Sequence, residues 1–214
     1  MKRLFLFTIV LLFAFSIATK AAGVSLGVKG GMAISSLTGD FVDELEEEIE
    51  AELDSKTSFT GGVFADLGLS EKIGLQPEIL YISKGAEASE EEGKVTISVN
   101  YLEIPVLLKL KIPASPGFMF QILAGPSIGM KLDAKGVVES EEEGTEEVDL
   151  NDDIKSMAMG ISFGAGFGIK MGGSILTLDG RYSMDLTSVA ESSDEEIKTN
   201  NIIIMAGIGF PLGG

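Results

Sequence analysis

Two carboxylates, Glu78 and Glu103, sit in alternating polar and apolar runs, LQPEILYISKG and NYLEIPVLLKLK. Paired carboxylates are residue types that do general acid–base chemistry. Counted by twos, the chain face that carries them also carries Lys29, Asp66, Lys84, Lys109, Lys111, Lys131, Lys170, Asp179, Arg181 and Asp185. The usual companions of catalysis are missing, because the sequence has 0 His and 0 Cys and no visible nucleophile motif. Ser-His and Cys-His catalysis, zinc thiolate sites and disulfides are therefore out, and neither an enzyme nor a cofactor is expected. Lys29, Asp66, Glu78, Glu103, Lys109, Lys111, Asp179 and Arg181 read instead as one charge network. Arg181, Asp179, Lys109 and Lys29 are the candidate partners of the two glutamates. Two roles stay open for it: a polar passage that gates or selects small solutes, or a salt-bridged plug that fills an interior.

The element that positions Glu103, Lys109 and Lys111 is the run YLEIPVLLKLKI, residues 101–112. Leu102, Ile104, Val106, Leu108, Leu110 and Ile112 fall on one face. Tyr101, Glu103, Pro105, Leu107, Lys109 and Lys111 fall on the other. A period of two is the mark of a strand, because successive side chains leave opposite sides of the pleat. Similar alternation predicts strands at 24–36, 58–69, 73–85, 95–112, 118–132, 156–171, 174–188 and 199–212. Their links run long, short, long, short, long, short, long. Antiparallel neighbours then put every long link at one end and every short turn at the other. Pro77 and Pro105 lie inside strands, where a bulge or a missing ladder bond is expected.

Periodicity alone does not say which face points inward. A soluble barrel would hide its apolar face, and a membrane barrel would expose it to lipid. The larger face is apolar on nearly every strand and carries Met and Phe but no charge. The smaller face mixes glycine with charges of both signs, which a narrow lumen can accommodate. The fold expected is therefore all-β: an eight-stranded antiparallel up-and-down transmembrane β-barrel over residues 23–214. Residues 1–22 read as a cleaved signal peptide, with a basic start at Lys2 and Arg3, an apolar core to about Ile17 and cleavage near 18–22. Export to a bacterial-type outer membrane follows, with its lipid as the first partner.

Net charge is −17, yet mean hydropathy is +0.30, because the charge is segregated. Four segments, 40–56, 87–94, 133–155 and 191–198, hold 27 of the 33 acidic residues, and they coincide with the long links. Nucleic acid is an unfavourable partner for such a surface. Phe41, Leu45, Ile49 and Leu53 recur every fourth residue, the spacing of a short amphipathic helix in the first link. Asp149, Asn151 and Asp153 have the alternate spacing of a calcium loop, but the later glycine and glutamate are missing. A diffuse atmosphere of divalent cations is expected there, and no specific metal site.

GVKGGMAISSL, LQPEILYISKG, NYLEIPVLLKLK, AGPSIGM and LTLDGRYSMDLTSV resemble the successive strand motifs of the PorT-like outer-membrane β-barrel family. The resemblance covers essentially the whole chain after the N-terminal segment. It implies an accessory role in a protein secretion or assembly system, with envelope or secretion proteins as partners through the links. Three functions stand side by side: a structural or surface-interaction barrel, a small passive or gated pore, and that accessory role.

Overall fold

The computed structural model of the chain describes residues 23–39, 42, 53–90, 93–140, 144–190 and 197–212. The expected signal segment 1–22 lies outside the described residues, as does nearly all of the helix expected at 41–53. The strands are β1 (Val24–Thr38), β2 (Asp54–Gly68), β3 (Ile73–Glu90), β4 (Gly93–Ser115), β5 (Phe118–Ser140), β6 (Gly144–Asp149), β7 (Met157–Met171), β8 (Ser174–Asp185) and β9 (Lys198–Leu212). All pairings between them are antiparallel. β1 pairs with both β2 and β9, and β4 pairs with β5, so eight strands close into a ring with β6 hung on β5. The closing seam is long: β1 and β9 pair from Val24↔Leu212 to Thr38↔Lys198. Closure leaves the ring no free edge.

The eight expected strands are all present, but two acidic segments differ from expectation. Residues 87–94 were expected to form a long loop. Instead β3 runs to Glu90 and β4 starts at Gly93. In the third segment β5 continues to Ser140 and folds back through β6. The physical reason is that pairing continues past the ring, as in Ala88↔Val95, Val95↔Val138 and Val138↔Glu146. Each pair keeps backbone polar groups bonded while charged side chains stay solvated. Diagonal contacts help, with Lys94 Nζ at 2.7 Å from Glu87 and Lys135 Nζ at 3.2 Å from Glu147. Such exposed pairs are each worth less than about 1 kcal/mol.

The faces are inside-out for a water-soluble protein. Outward residues include Phe59, 68% exposed, with Met32, Val63, Leu108, Ile122 and Ile204 also exposed. Inward residues include Glu78, 2% exposed, with Lys84, Glu103, Lys109, Asp179 and Arg181 also buried. An apolar exterior of this extent is stable against hydrocarbon and not against water. The chain has 0 Trp, and aromatic contact near the short-turn end comes from phenylalanine. Phe118 lies 5.1 Å from Phe120 and 5.9 Å from Phe167 between ring centroids.

Both strand prolines interrupt the ladder without shifting it. The β2–β3 pairing skips Gln76 and Pro77 and resumes in the same register at Leu67↔Leu75. The β4–β5 pairing skips Val106 and Leu107, next to Pro105, and resumes at Leu108↔Ala124. A ring of eight strands also needs tight curvature, and glycine supplies it at Gly31 and Gly62. A Cβ at Gly31 would lie 1.9 Å from the Ile204 carbonyl oxygen, and one at Gly62 would lie 1.9 Å from that of Ile79. At Gly180 a Cβ would meet nothing within 4 Å. Gly62→Ala should therefore lower the stability of the barrel in lipid vesicles by about 1–3 kcal/mol in urea unfolding. Gly180→Ala should stay within about 0.5 kcal/mol of the native chain.

Candidate functional site

The inward face of the ring gathers the predicted charges into three tiers. The middle tier comes from β1, β3 and β8. Lys29 Nζ donates to Glu78 Oε1 at 3.0 Å and to Asp179 Oδ2 at 3.3 Å. The Arg181 guanidinium grips Glu78 with two bonds, Nη1 to Oε2 at 2.7 Å and Nη2 to Oε1 at 2.8 Å. Its Nε lies 2.5 Å from Asp179 Oδ1. This fork geometry is what arginine offers a carboxylate and lysine does not. Two cations meet two anions here, and the tier is neutral.

The lower tier lies toward the short turns. Asp66 is shared by Lys109 at 2.8 Å and Lys111 at 2.7 Å. Gln76 joins this tier to the middle one: its Oε1 accepts from Lys109 Nζ at 2.8 Å, and its Nε2 donates to Glu78 at 2.5 Å. The upper tier differs from the expected pairing. Glu103 does not meet Arg181, Asp179, Lys109 or Lys29; its ion-pair partner is Lys84, at 3.1 Å. Lys84 also bonds Asp185 at 2.9 Å, and Thr199 donates to Asp185. In register Glu103 stands opposite Leu80, two residues nearer the long links than Glu78, and this puts it within reach of Lys84. Lys84 and Asp185 share the charged face in the sequence, yet spacing alone did not join them to the network.

Over the three tiers five cations face five anions, all inside the ring. Each cation adds methylene packing, and two lie over rings: Lys29 at 5.1 Å from the Phe64 centroid and Lys84 at 5.3 Å from that of Tyr101. Toward the long links the lumen holds an apolar cluster beside buried polar side chains such as Ser35 and Asn201. Leu80, Ile82, Val99, Tyr101, Ile203 and Met205 form a buried cluster there. The sequence carried a signal for it, because Leu80 and Ile82 are apolar residues on the charged face.

Described residues of the third and fourth links pack over this cluster. Leu150, Ile154 and Ile197 pack against it. Lys131 Nζ donates to the carbonyls of Asn151, at 2.5 Å, and Ile154. Ile154 bridges Ala190, and Lys155 N donates to the Val189 carbonyl at 2.7 Å. Asn151 donates its backbone N–H and its side-chain amide to Asp149 Oδ1, both at 2.8 Å, and these bonds hold the Asp149 carboxyl below the usual aspartate range. Asp149 and Asn151 thus build a turn. Among the described residues no group of three His, Cys, Asp or Glu side chains has the geometry to hold a metal ion.

Charge balance sets the outcome of substitution. Arg181→Met leaves Glu78 and Asp179 facing Lys29 alone, and should cost about 3–5 kcal/mol. Adding Glu78→Gln restores neutrality and should recover at least half of that loss. A double-mutant cycle in urea unfolding checks it.

Residues 16–191 match the family described as outer membrane protein beta-barrel domain. No curated protein matches the chain. Among solved structures, the outer membrane protein OprG from Pseudomonas aeruginosa is similar, with a TM-score of 0.51 at 12% identity, over 91% of this chain and 98% of that one. Neisserial surface protein A gives 0.47 at 10% identity, over 86% and 96%. Ail, the attachment invasion locus protein of Yersinia pestis, gives 0.44 at 16% identity, over 89% and 99%. At these identities the likeness to OprG is one of fold. The family match spans most of the strands that build the ring, and the chain belongs to the outer membrane protein β-barrel domain family of the bacterial outer membrane.

Proposed function

We propose that this barrel is non-enzymatic and has a closed lumen, serving a structural or surface-interaction role through its acidic outer rim. The observation that carries the reading is the lumen itself: buried ion pairs backed by an apolar cluster, against which Leu150, Ile154 and Ile197 pack. A conducting passage needs a continuous wet path, and paired charges in contact with packed side chains oppose one. In this family's layout short turns face the periplasm and long links face outside. The acidic segments then form the outer surface, with a diffuse shell of divalent cations, outer-membrane lipid around the ring, and envelope proteins as partners. Residues 1–22 serve as the cleaved export signal. The PorT-like motifs support a narrower version, in which the partner belongs to a secretion or assembly system.

Planar-bilayer recording tests this against the pore alternative. The purified barrel should insert without discrete conductance steps. Reproducible steps abolished by Glu103→Ala would instead establish a gated pore. Deleting residues 139–150 separates the remaining roles: a docking barrel loses its cellular phenotype while still inserting, and a pore or a purely structural barrel keeps it.

A further inference from the structure

Described link residues pack over the lumen toward the long links, and the short-turn end holds a cavity of about 310 Å³. That size matches the lower end of small-molecule sites. Its floor is the lower charge tier, and its wall includes Phe64, Met119, Gln121 and Thr177. Gln121 is 2% exposed, and its Oε1 accepts no hydrogen bond from any described residue. The Thr177 hydroxyl, on the same wall, is likewise without a partner. A buried amide oxygen left this way keeps its full desolvation cost unless something donates to it. Gln121 stands directly opposite Lys111 in the β4–β5 register. An acceptor and a cation therefore leave neighbouring strands at one level.

Charge gives the second half. Asp66 is one anion shared between Lys109 and Lys111, so the floor carries one uncompensated positive charge. Lys170 and Glu71 also line the cavity and offset one another. The lining also offers apolar contact, through Phe64 on β2 and through Met119, two residues from Gln121 on β5. We propose that this cavity is a binding site, open on the periplasmic side, for a small amphipathic carboxylate that carries an N–H or O–H donor. The carboxylate meets Lys111, the donor satisfies Gln121 Oε1, and the apolar part lies against Phe64 and Met119. The amido- and hydroxycarboxylates form this class. The site does not depend on whether the rest of the lumen conducts, because it is built at the end of the barrel below the middle tier.

N-acetylleucine is a suitable probe: it has a carboxylate, an amide N–H and an isobutyl group. The barrel, labelled with ¹³C-methyl methionine and placed in lipid nanodiscs, provides its own reporters. Met119 lines the cavity and Met32 faces lipid. N-acetylleucine should shift the Met119 methyl saturably and leave Met32 unmoved. Isocaproate, which lacks the N–H, should bind about tenfold more weakly, the worth of one buried hydrogen bond. Leucinamide, which lacks the carboxylate, should not compete. Gln121→Leu should erase the preference for N-acetylleucine over isocaproate, and Lys111→Gln should weaken both. The native barrel alone can overturn the proposal: no saturable Met119 shift, or equal response to all three probes, would do so. An unchanged preference in a folded Gln121→Leu barrel, with its Met32 methyl in place, would remove the assigned donor contact.

Discussion

Hydrocarbon offers no hydrogen bonds, and every backbone N–H and C=O that crosses it must find a partner in the protein. In this chain the requirement is met at the seam between β1 and β9, which runs from Val24↔Leu212 to Thr38↔Lys198. Without that seam β1 and β9 would be bare edges in lipid. Closure in turn sets the size of the interior. Eight strands enclose a space only as wide as side chains, and alternation sends half of all strand residues into it. Glycine at Gly31 and Gly62 lets neighbouring backbones approach where the curve is tight.

Filling that space with charge is stable only if each ion meets an opposite one. Burying an unpaired ion costs several kcal/mol, and a pair breaks even only with good geometry and further bonds. The middle tier meets both conditions: the Arg181 fork, the Lys29 bridge and the Gln76 amide saturate Glu78. The outer tiers do not balance one by one: the upper sets Lys84 against Glu103 and Asp185, the lower sets Lys109 and Lys111 against Asp66, and the lower tier's surplus positive charge sits where the lumen opens into a cavity. The proposed plug and the polar pocket thus follow from one charge arrangement, balanced in the middle tier and in surplus of opposite sign in the tiers above and below it.

Period-two alternation made the strands and their faces legible. YLEIPVLLKLKI alone separates Leu102 and Leu108 from Glu103 and Lys109, and the ring keeps that separation. Pairing within the lumen was less legible, because it depends on the stagger between strands, and stagger leaves no mark in a single strand. Glu103 looked equivalent to Glu78, yet register lifts it to Lys84 and Asp185. Acidic composition hid the outer extensions of β3, β4 and β5. Runs of glutamate read as loop, although a solvated sheet holds alternate charges equally well. The strand β6, GTEEVD, has almost no apolar pattern, and it exists because β5 continues beyond β7 and offers it an edge.

The structure has lipid outside and charge inside, and the proposed closed lumen requires that interior to be dry. Spin labels placed one at a time along residues 102–110 of β4, in the barrel reconstituted in lipid, test it most directly. Accessibility to oxygen, which concentrates in the bilayer, should peak at Leu102, Ile104, Val106, Leu108 and Leu110. A water-soluble nickel relaxant should reach neither those positions nor Glu103, Pro105 and Leu107. Strong nickel access at the odd-numbered positions would mean a wet, open lumen. Nickel access at the even-numbered positions would mean that the apolar face meets water, and would contradict the membrane barrel itself.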